Sequence, residues 1–271
     1  MQNKRYLTVC LAAVTLISLG ASSPSAQRSN DDWCAQESWG RDREGVCEVR
    51  ELTVLAGAST LAVDAAPNGG ISVEGTGRGD VLVRAKIVAT ADTEARAREI
   101  LNSVRIDAAP DRISADGPNR SGRREGWSVS YRLDVPNRTS LSLSTTNGGI
   151  SITDVDGRIE FKTVNGGVKL RGLAGDVRGR TSNGGVDVDL DGPTWNGEGL
   201  DVETSNGGVK LSIPGNYSAR LESGTVNGGF NVDFPMTVQG RIDREINTSL
   251  GAGGPLIRVR TNNGGVRITR K

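Results

Sequence analysis

The chain has 271 residues, with 33 basic against 32 acidic side chains, no histidine, three cysteines and 37 glycines. That length fits one large domain or two small ones, and a charge near balance excludes a general electrostatic pull toward nucleic acid or anionic membranes. Without histidine, neither a Ser-His-Asp nor a Cys-His nucleophilic arrangement can be built.

At the N-terminus, Lys4 and Arg5 precede an apolar stretch from Leu7 to Leu19, and small residues then lead to Ala26. This order of charged, apolar and small residues is that of a secretory signal, predicted over residues 1–26. The apolar stretch is too short to cross a bilayer, which takes about 20 residues. Cys10 lies inside it rather than in a lipoprotein-type position. Removing Lys4 and Arg5 leaves 31 basic and 32 acidic groups, a net charge of −1. The expected product is exported, without a transmembrane segment, to the periplasm, the outer surface or the medium.

Residues 27–50 are polar and carry Trp33 and Trp39. Cys34 and Cys47, spaced by 13, are expected to form a disulfide, the ordinary fate of two cysteines in an exported chain. Closing a loop of that size stabilises by roughly 3 kcal/mol in the chain-entropy model. The segment is a candidate N-terminal cap for the strands beyond it.

Residues 51–140 read as strands interrupted by one helix. Leu52, Val54, Leu61 and Val63 alternate with polar residues, as do Ile71 and Val73, then Val81, Val83 and Ile87. A helix is predicted over about 92–104, with Asp92 as cap, Glu94 in the first turn, and Ala97, Ile100, Leu101 and Val104 on one face. Strands resume at Arg112–Ala115 and at Trp127–Val135, the latter stopped by Pro136. Between them Arg120, Arg123 and Arg124 sit among small polar residues and read as a solvated loop.

From residue 141 to residue 271 a motif takes over: Thr-x-Asn-Gly-Gly, then apolar, any residue, apolar. Its asparagines are Asn147, Asn165, Asn183, Asn206, Asn227 and Asn263, at steps of 18, 18, 23, 21 and 36, and an imperfect copy sits at Asn68, where Ala66 replaces the threonine. A recurring step of 18 marks a coil that repeats one structural unit. After each Gly-Gly comes Ile150, Val168, Val186, Val209, Phe230 or Val266, and two residues later Ile152, Leu170, Val188, Leu211, Val232 or Ile268. Four residues before each threonine lie Leu141, Ile159, Val177, Leu200, Leu221 and Ile257. Each repeat therefore supplies two short half-buried strands, and only a stack of them can bury the apolar columns. The expected fold is all-β, a single-stranded β-helix (β-solenoid) with ~18-residue coils and one short inserted helix.

Asn and Gly both tolerate positive φ, so the six asparagines are expected to be structural turn residues. Strand parity puts the threonine and the asparagine inside the corner, with asparagine amides bonded from coil to coil. No catalytic, cofactor or metal residues are predicted. Three alternatives for the repeat fail on pattern: no aspartate column recurs as in calcium-binding repeats, the threonines face inward rather than forming an ice-binding array, and no strand–loop–helix context supports phosphate binding. A local acidic run remains: Asp187, Asp189 and Asp191, with Asp201 and Glu203 beyond it, which would suit a carbohydrate-active β-helix enzyme.

The repeated motif, with its glycine-rich approach Gly251-Ala252-Gly253-Gly254-Pro255 before the last copy, resembles the bacterial putative-adhesin β-strand-repeat family, a domain of unknown function. The resemblance spans roughly Leu52 to Lys271 and implies an exported or surface-associated β-solenoid without catalytic residues to carry over. The expected function is a non-enzymatic envelope or surface protein that binds or scaffolds through a repetitive face including Lys169, Asp187 and Lys210. Its partner is an envelope component, a glycan or a protein, not nucleic acid. The acidic-run enzyme and an envelope-stress sensor domain are the alternatives.

Overall fold

The computed structural model describes residues 32–271, apart from 36, 40, 41, 58, 120, 121, 123 and 234–243. The expected signal segment, and Arg120 and Arg123 of the basic loop, lie outside the described residues. The protein is all-β, and among the described residues its strands form two ten-stranded sheets.

The N-terminal part runs α1 (Asp32–Ala35), β1 (Glu44–Leu55), β2 (Leu61–Asp64), β3 (Ile71–Thr76), β4 (Asp80–Ala91), α2 (Glu94–Ser103), β5 (Arg105–Ala108), β6 (Arg112–Asp116) and β7 (Gly126–Pro136). The first strand thus begins inside the segment expected to be a cap, and Cys47 lies within it. Cys34 and Cys47 are joined by a disulfide with 5.7 Å between their α-carbons. The longer helix is capped by Thr93, whose side chain accepts from the Arg96 amide, rather than by the Asp92 expected. Its buried residues are Ala97, Ile100 and Leu101, it packs against β4, β1 and β7, and Arg50 of β1 donates to the carbonyls of Val104 (2.6 Å) and Leu101 (3.3 Å). A cation at that end satisfies carbonyls that the last helical turn leaves free.

The repeats follow as strand pairs, one strand in each sheet: β8 (Leu141–Asn147) with β9 (Ile150–Thr153), β10 (Asp156–Asn165) with β11 (Val168–Arg171), β12 (Ala174–Asn183) with β13 (Val186–Asp189), β14 (Gly199–Asn206) with β15 (Val209–Ile213), and β16 (Ala219–Asn227) with β17 (Phe230–Val232). After β18 (Glu245–Leu250) the last pair is β19 (Leu256–Asn263) with β20 (Val266–Arg270). Pairing between successive repeats is parallel and in register, so Ile159 meets Leu141 on one side and Val177 on the other.

Chain order and spatial order part company at the end. Sheet A runs β1-β4-β7-β3-β9-β11-β13-β15-β20-β17, and sheet B runs β18-β16-β19-β14-β12-β10-β8-β2-β6-β5. The C-terminal repeat is therefore inserted between the Asn206 and Asn227 repeats instead of following the latter. The long step from Asn227 to Asn263 carries β18, which pairs antiparallel with β16 and forms that edge of sheet B. Identical corners at Asn206, Asn263 and Asn227 let any of them be neighbours, so sequence order does not dictate stacking order.

The apolar columns of both sheets belong to one hydrophobic core. Ile71, Ile150, Val168, Val186, Val209 and Val266 are all buried, as are Leu61, Leu141, Ile159, Val177, Leu200, Ile257 and Leu221. Burying each aliphatic side chain contributes roughly 1.5–3 kcal/mol, so these columns dominate stability. Where one column turns bulky its neighbour turns small: Phe161 pairs with Gly179, and a β-carbon on Gly179 would lie 2.1 Å from the phenyl ring. The step of 23 is explained by an excursion that sends Trp195 back into the core, its indole N–H donating to the Gly175 carbonyl at 2.9 Å.

Candidate binding face

The repeated corners hold two side-chain ladders. Threonines 145, 163, 181, 204, 225 and 261 are buried, and each hydroxyl donates to a glycine carbonyl of an adjacent repeat, as Thr163 does to Gly148 at 2.9 Å and Thr181 to Gly166 at 2.8 Å. The asparagines form the second ladder. Each Nδ2 donates to the Oδ1 of the next residue along the series Asn227, Asn263, Asn206, Asn183, Asn165, Asn147 and Asn68, at 2.7–3.0 Å.

Two expectations about these corners are corrected. Asn147, Asn165, Asn183, Asn206, Asn227 and Asn263 are exposed, not inward. The asparagine is the last residue of its strand, so the alternation that buries the threonine no longer holds there. Nor do the corners rely on positive φ: the only non-glycine residue with it, among those described, is Asp154, and Gly264 alone of the motif glycines has it. The first glycine is required by close approach instead. A β-carbon on Gly148 would lie 1.9 Å from the Gly69 carbonyl oxygen, on Gly166 1.9 Å from that of Gly148, and on Gly184 2.0 Å from that of Gly166. At the second glycine the fit is looser, with 3.1 Å at Gly149 and 3.5 Å at Gly167.

The acidic run does not assemble into a paired-acid site. Asp187 and Asp189 project from β13 in sheet A, whereas Asp201 and Glu203 project from β14 in sheet B. Lys271 donates to Asp189 and Asp191 at 2.5 Å each. Burial alone would lower the lysine pKa, but the hydrogen bonds to Asp189 and Asp191 outweigh it and raise it. Asp187 faces Lys210 at 3.9 Å, Asp201 faces Arg258 at 3.1 Å, and Glu203 faces Arg180 at 3.4 Å. Among the described residues no group of acids or cysteines converges as a metal site would require.

The two outward faces differ in charge. Across sheet B the paired positions run Glu160, Arg178, Asp201, Arg258 and Glu222. Signs alternate, and Arg258 bridges Asp201 and Glu222, the latter at 2.9 Å. Its pKa is raised chiefly by the hydrogen bond to Glu222, against a smaller lowering by burial. Across sheet A the corresponding row is Arg132, Ser72, Ser151, Lys169, Asp187, Lys210 and Arg267. Arg132, Lys169 and Arg267 have no carboxylate partner among the described residues.

Trp33 lies over the start of this row. The Arg132 guanidinium sits 3.9 Å from its ring centroid and the Lys86 ammonium 5.1 Å. Such contacts contribute about 0.5–1 kcal/mol at exposed sites. Lys86 also pairs with Glu37, and the adjacent Cys34–Cys47 disulfide ties the segment to β1. Beneath the outer surface Tyr131 is buried, and that burial, with a smaller effect of Asp64, pushes its hydroxyl pKa upward. Lys169, Asp187 and Lys210, the exposed column expected from the repeat, stand side by side through strand pairing. Arg132 and the position of Trp33 escape a reading of the repeat, because β7 joins sheet A from outside it.

The fold and its outward rows define an all-β protein with a repeated surface. The chain belongs to the Toastrack DUF4097 family, whose model matches residues 111–269, an adhesin-like family of unknown function. Solved structures resembling it include a putative cell adhesion protein of Clostridium sporogenes, 12% identical, covering 84% of this chain and 100% of that one with a TM-score of 0.46. A putative adhesin of Bacteroides fragilis is 11% identical, covering 83% and 97%, with a TM-score of 0.38. A putative lipid binding protein of Parabacteroides distasonis is 10% identical, covering 82% and 96%, with a TM-score of 0.35. No curated protein matches the chain. Among the described residues no helix is long and apolar enough to cross a membrane.

Proposed function

We propose that this chain is an exported, non-enzymatic envelope or surface protein, a β-solenoid of ~18-residue coils that binds or scaffolds through the outward face of sheet A. Residues 1–26 serve as its export signal, and the disulfide-bearing segment 27–50 caps the stack. The observation that carries this reading is the contrast between the faces. In the row from Glu160 to Glu222 sheet B sets each charge beside an opposite one, whereas the corresponding row of sheet A leaves Arg132, Lys169 and Arg267 without acidic partners among the described residues. Unneutralised charge on a rigid, laddered surface favours recognition of an external group over internal stability. Membership in an adhesin-like family supports the same direction. The separation of Asp187 and Asp189 from Asp201 and Glu203 weighs against the carbohydrate-active enzyme.

The test is a pull-down of envelope fractions with the purified protein, comparing a sheet A variant (Lys169→Glu with Arg267→Glu) with a sheet B variant (Arg178→Glu with Arg260→Glu). Binding should fall only in the first. Equal retention in both would remove sheet A as the binding face.

A further inference from the structure

An open cavity of about 450 Å³ lies on the outer surface of sheet A, spanning the four neighbouring strands β7, β3, β9 and β11. Its floor is the paired row Ser72 and Ser151 together with corner glycine backbone, which carries no side chain to block approach. Arg132 stands at one end of the row and Lys169 at the other, three strand spacings or about 14 Å apart. Trp33 forms the remaining wall, with Arg132 held against its ring. Glu74, two residues beyond Ser72 on β3, bounds the cationic strip, and Asp134 beside it is taken up by Arg84 at 2.5 Å.

We infer that this cavity is a binding site for an acidic oligosaccharide, one whose sugars bear carboxylates; the assignment rests on the lateral-face reading and names its ligand class. Each part of the cavity matches one part of such a ligand. The Trp33 indole, with Arg132 stacked over it, walls the cavity with apolar ring atoms against which a pyranose can pack, and serine hydroxyls and glycine backbone offer hydrogen bonds to ring hydroxyls. The two cations without carboxylate partners supply charge-assisted hydrogen bonds to acids spaced along the chain, and Arg132 can take a carboxylate bidentately. A neutral glycan would leave both cations without a carboxylate to bind. A flexible acidic peptide would not use the indole and serine floor between them. Trp33 and Ser72 lie outside residues 111–269, so the site joins two residues beyond the family match to Arg132, Ser151 and Lys169 inside it.

Titration calorimetry with a galacturonic acid tetrasaccharide, against maltotetraose and a polyglutamate of equal charge, tests the assignment. The acidic tetrasaccharide should bind and maltotetraose should not, with polyglutamate weaker by at least about tenfold. Lys169→Ala and Arg132→Ala should each weaken binding about tenfold, and Trp33→Ala should weaken it further, while Arg258→Ala in sheet B leaves it unchanged. Polyglutamate binding as tightly as the sugar, or Trp33→Ala and Lys169→Ala both binding like the parent, would overturn the inference. Envelope fractions retained by a protein that ignores the tetrasaccharide would overturn it too, yet leave the lateral-face reading standing; loss of both would remove both.

Discussion

The outward faces of the two sheets are built on the same repeat, and one corresponding row on each differs in how its charges are paired. Along the sheet B row from Glu160 to Glu222, each repeat answers the charge of its neighbour, and Arg258 alone ties together Asp201 and Glu222. On sheet A, Ser72 lies beside Arg132 and Ser151 beside Lys169, while Asp187 on the other side of Lys169 pairs with Lys210, so neither Arg132 nor Lys169 has an ion pair among the described residues. The strand pairing, the buried threonines and the aliphatic columns are common to both. The difference therefore lies wholly in outward residues that the fold does not need, which is where selection for binding can act without disturbing the core.

The comparison can be broken most strongly from within, where both faces share one support. Gly166→Ala places a β-carbon 1.9 Å from the Gly148 carbonyl oxygen and should cost about 3 kcal/mol, whereas Gly167→Ala, with its nearest neighbour at 3.5 Å, should cost less than about 1 kcal/mol. Denaturant unfolding of the two variants measures this, and equal losses would refute the close-approach account. Next, Thr163→Val removes a buried hydroxyl that donates to the Gly148 carbonyl, for an expected loss of about 1–2 kcal/mol by the same measurement.

Outward substitutions sharpen the contrast. Arg258→Ala should lower stability by no more than about 1 kcal/mol, an effect reduced by salt, and leave ligand binding intact. Lys169→Ala should leave the melting temperature within error of the parent while weakening binding. A stability loss at Lys169 equal to that at Arg258 would mean that the two faces are not divided in this way.

The repeat made most of the core readable in advance. The apolar residues after each Gly-Gly, and those four before each threonine, form the buried columns, save that Phe230 and Val232 on the edge strand β17 are only partly buried; strand alternation leaves few other arrangements. The corners were readable only in part. The same alternation that buries Thr163 fails two residues later at Asn165, where the strand ends and the amide lies exposed. Glycine was expected for its dihedral freedom, yet its role at Gly148 and Gly166 is steric, set by the backbone of the neighbouring repeat. The insertion of the Asn263 repeat beside Asn206 left no mark in the sequence, since every copy of the motif offers the same edges. The candidate site was the least legible part. It needs Trp33 and Arg132 side by side, and only the disulfide and the antiparallel pairing of β1, β4 and β7 bring them together.

The asparagine corners carry a consequence for the lifetime of the protein. In an Asn-Gly pair the glycine nitrogen attacks the side-chain amide, closing a succinimide and releasing ammonia, so seven such corners in one chain would ordinarily age it quickly. Here that nitrogen is engaged at six of them: the N–H groups of Gly69, Gly148, Gly166, Gly184, Gly207 and Gly264 each donate to the asparagine carbonyl of the adjoining repeat at 2.9–3.1 Å. Gly228, in the outermost corner, has no such acceptor among the described residues. Among the corners, deamidation should begin at Asn227 and move inward only as that repeat loosens, an order that peptide mapping of stored protein would reveal by mass.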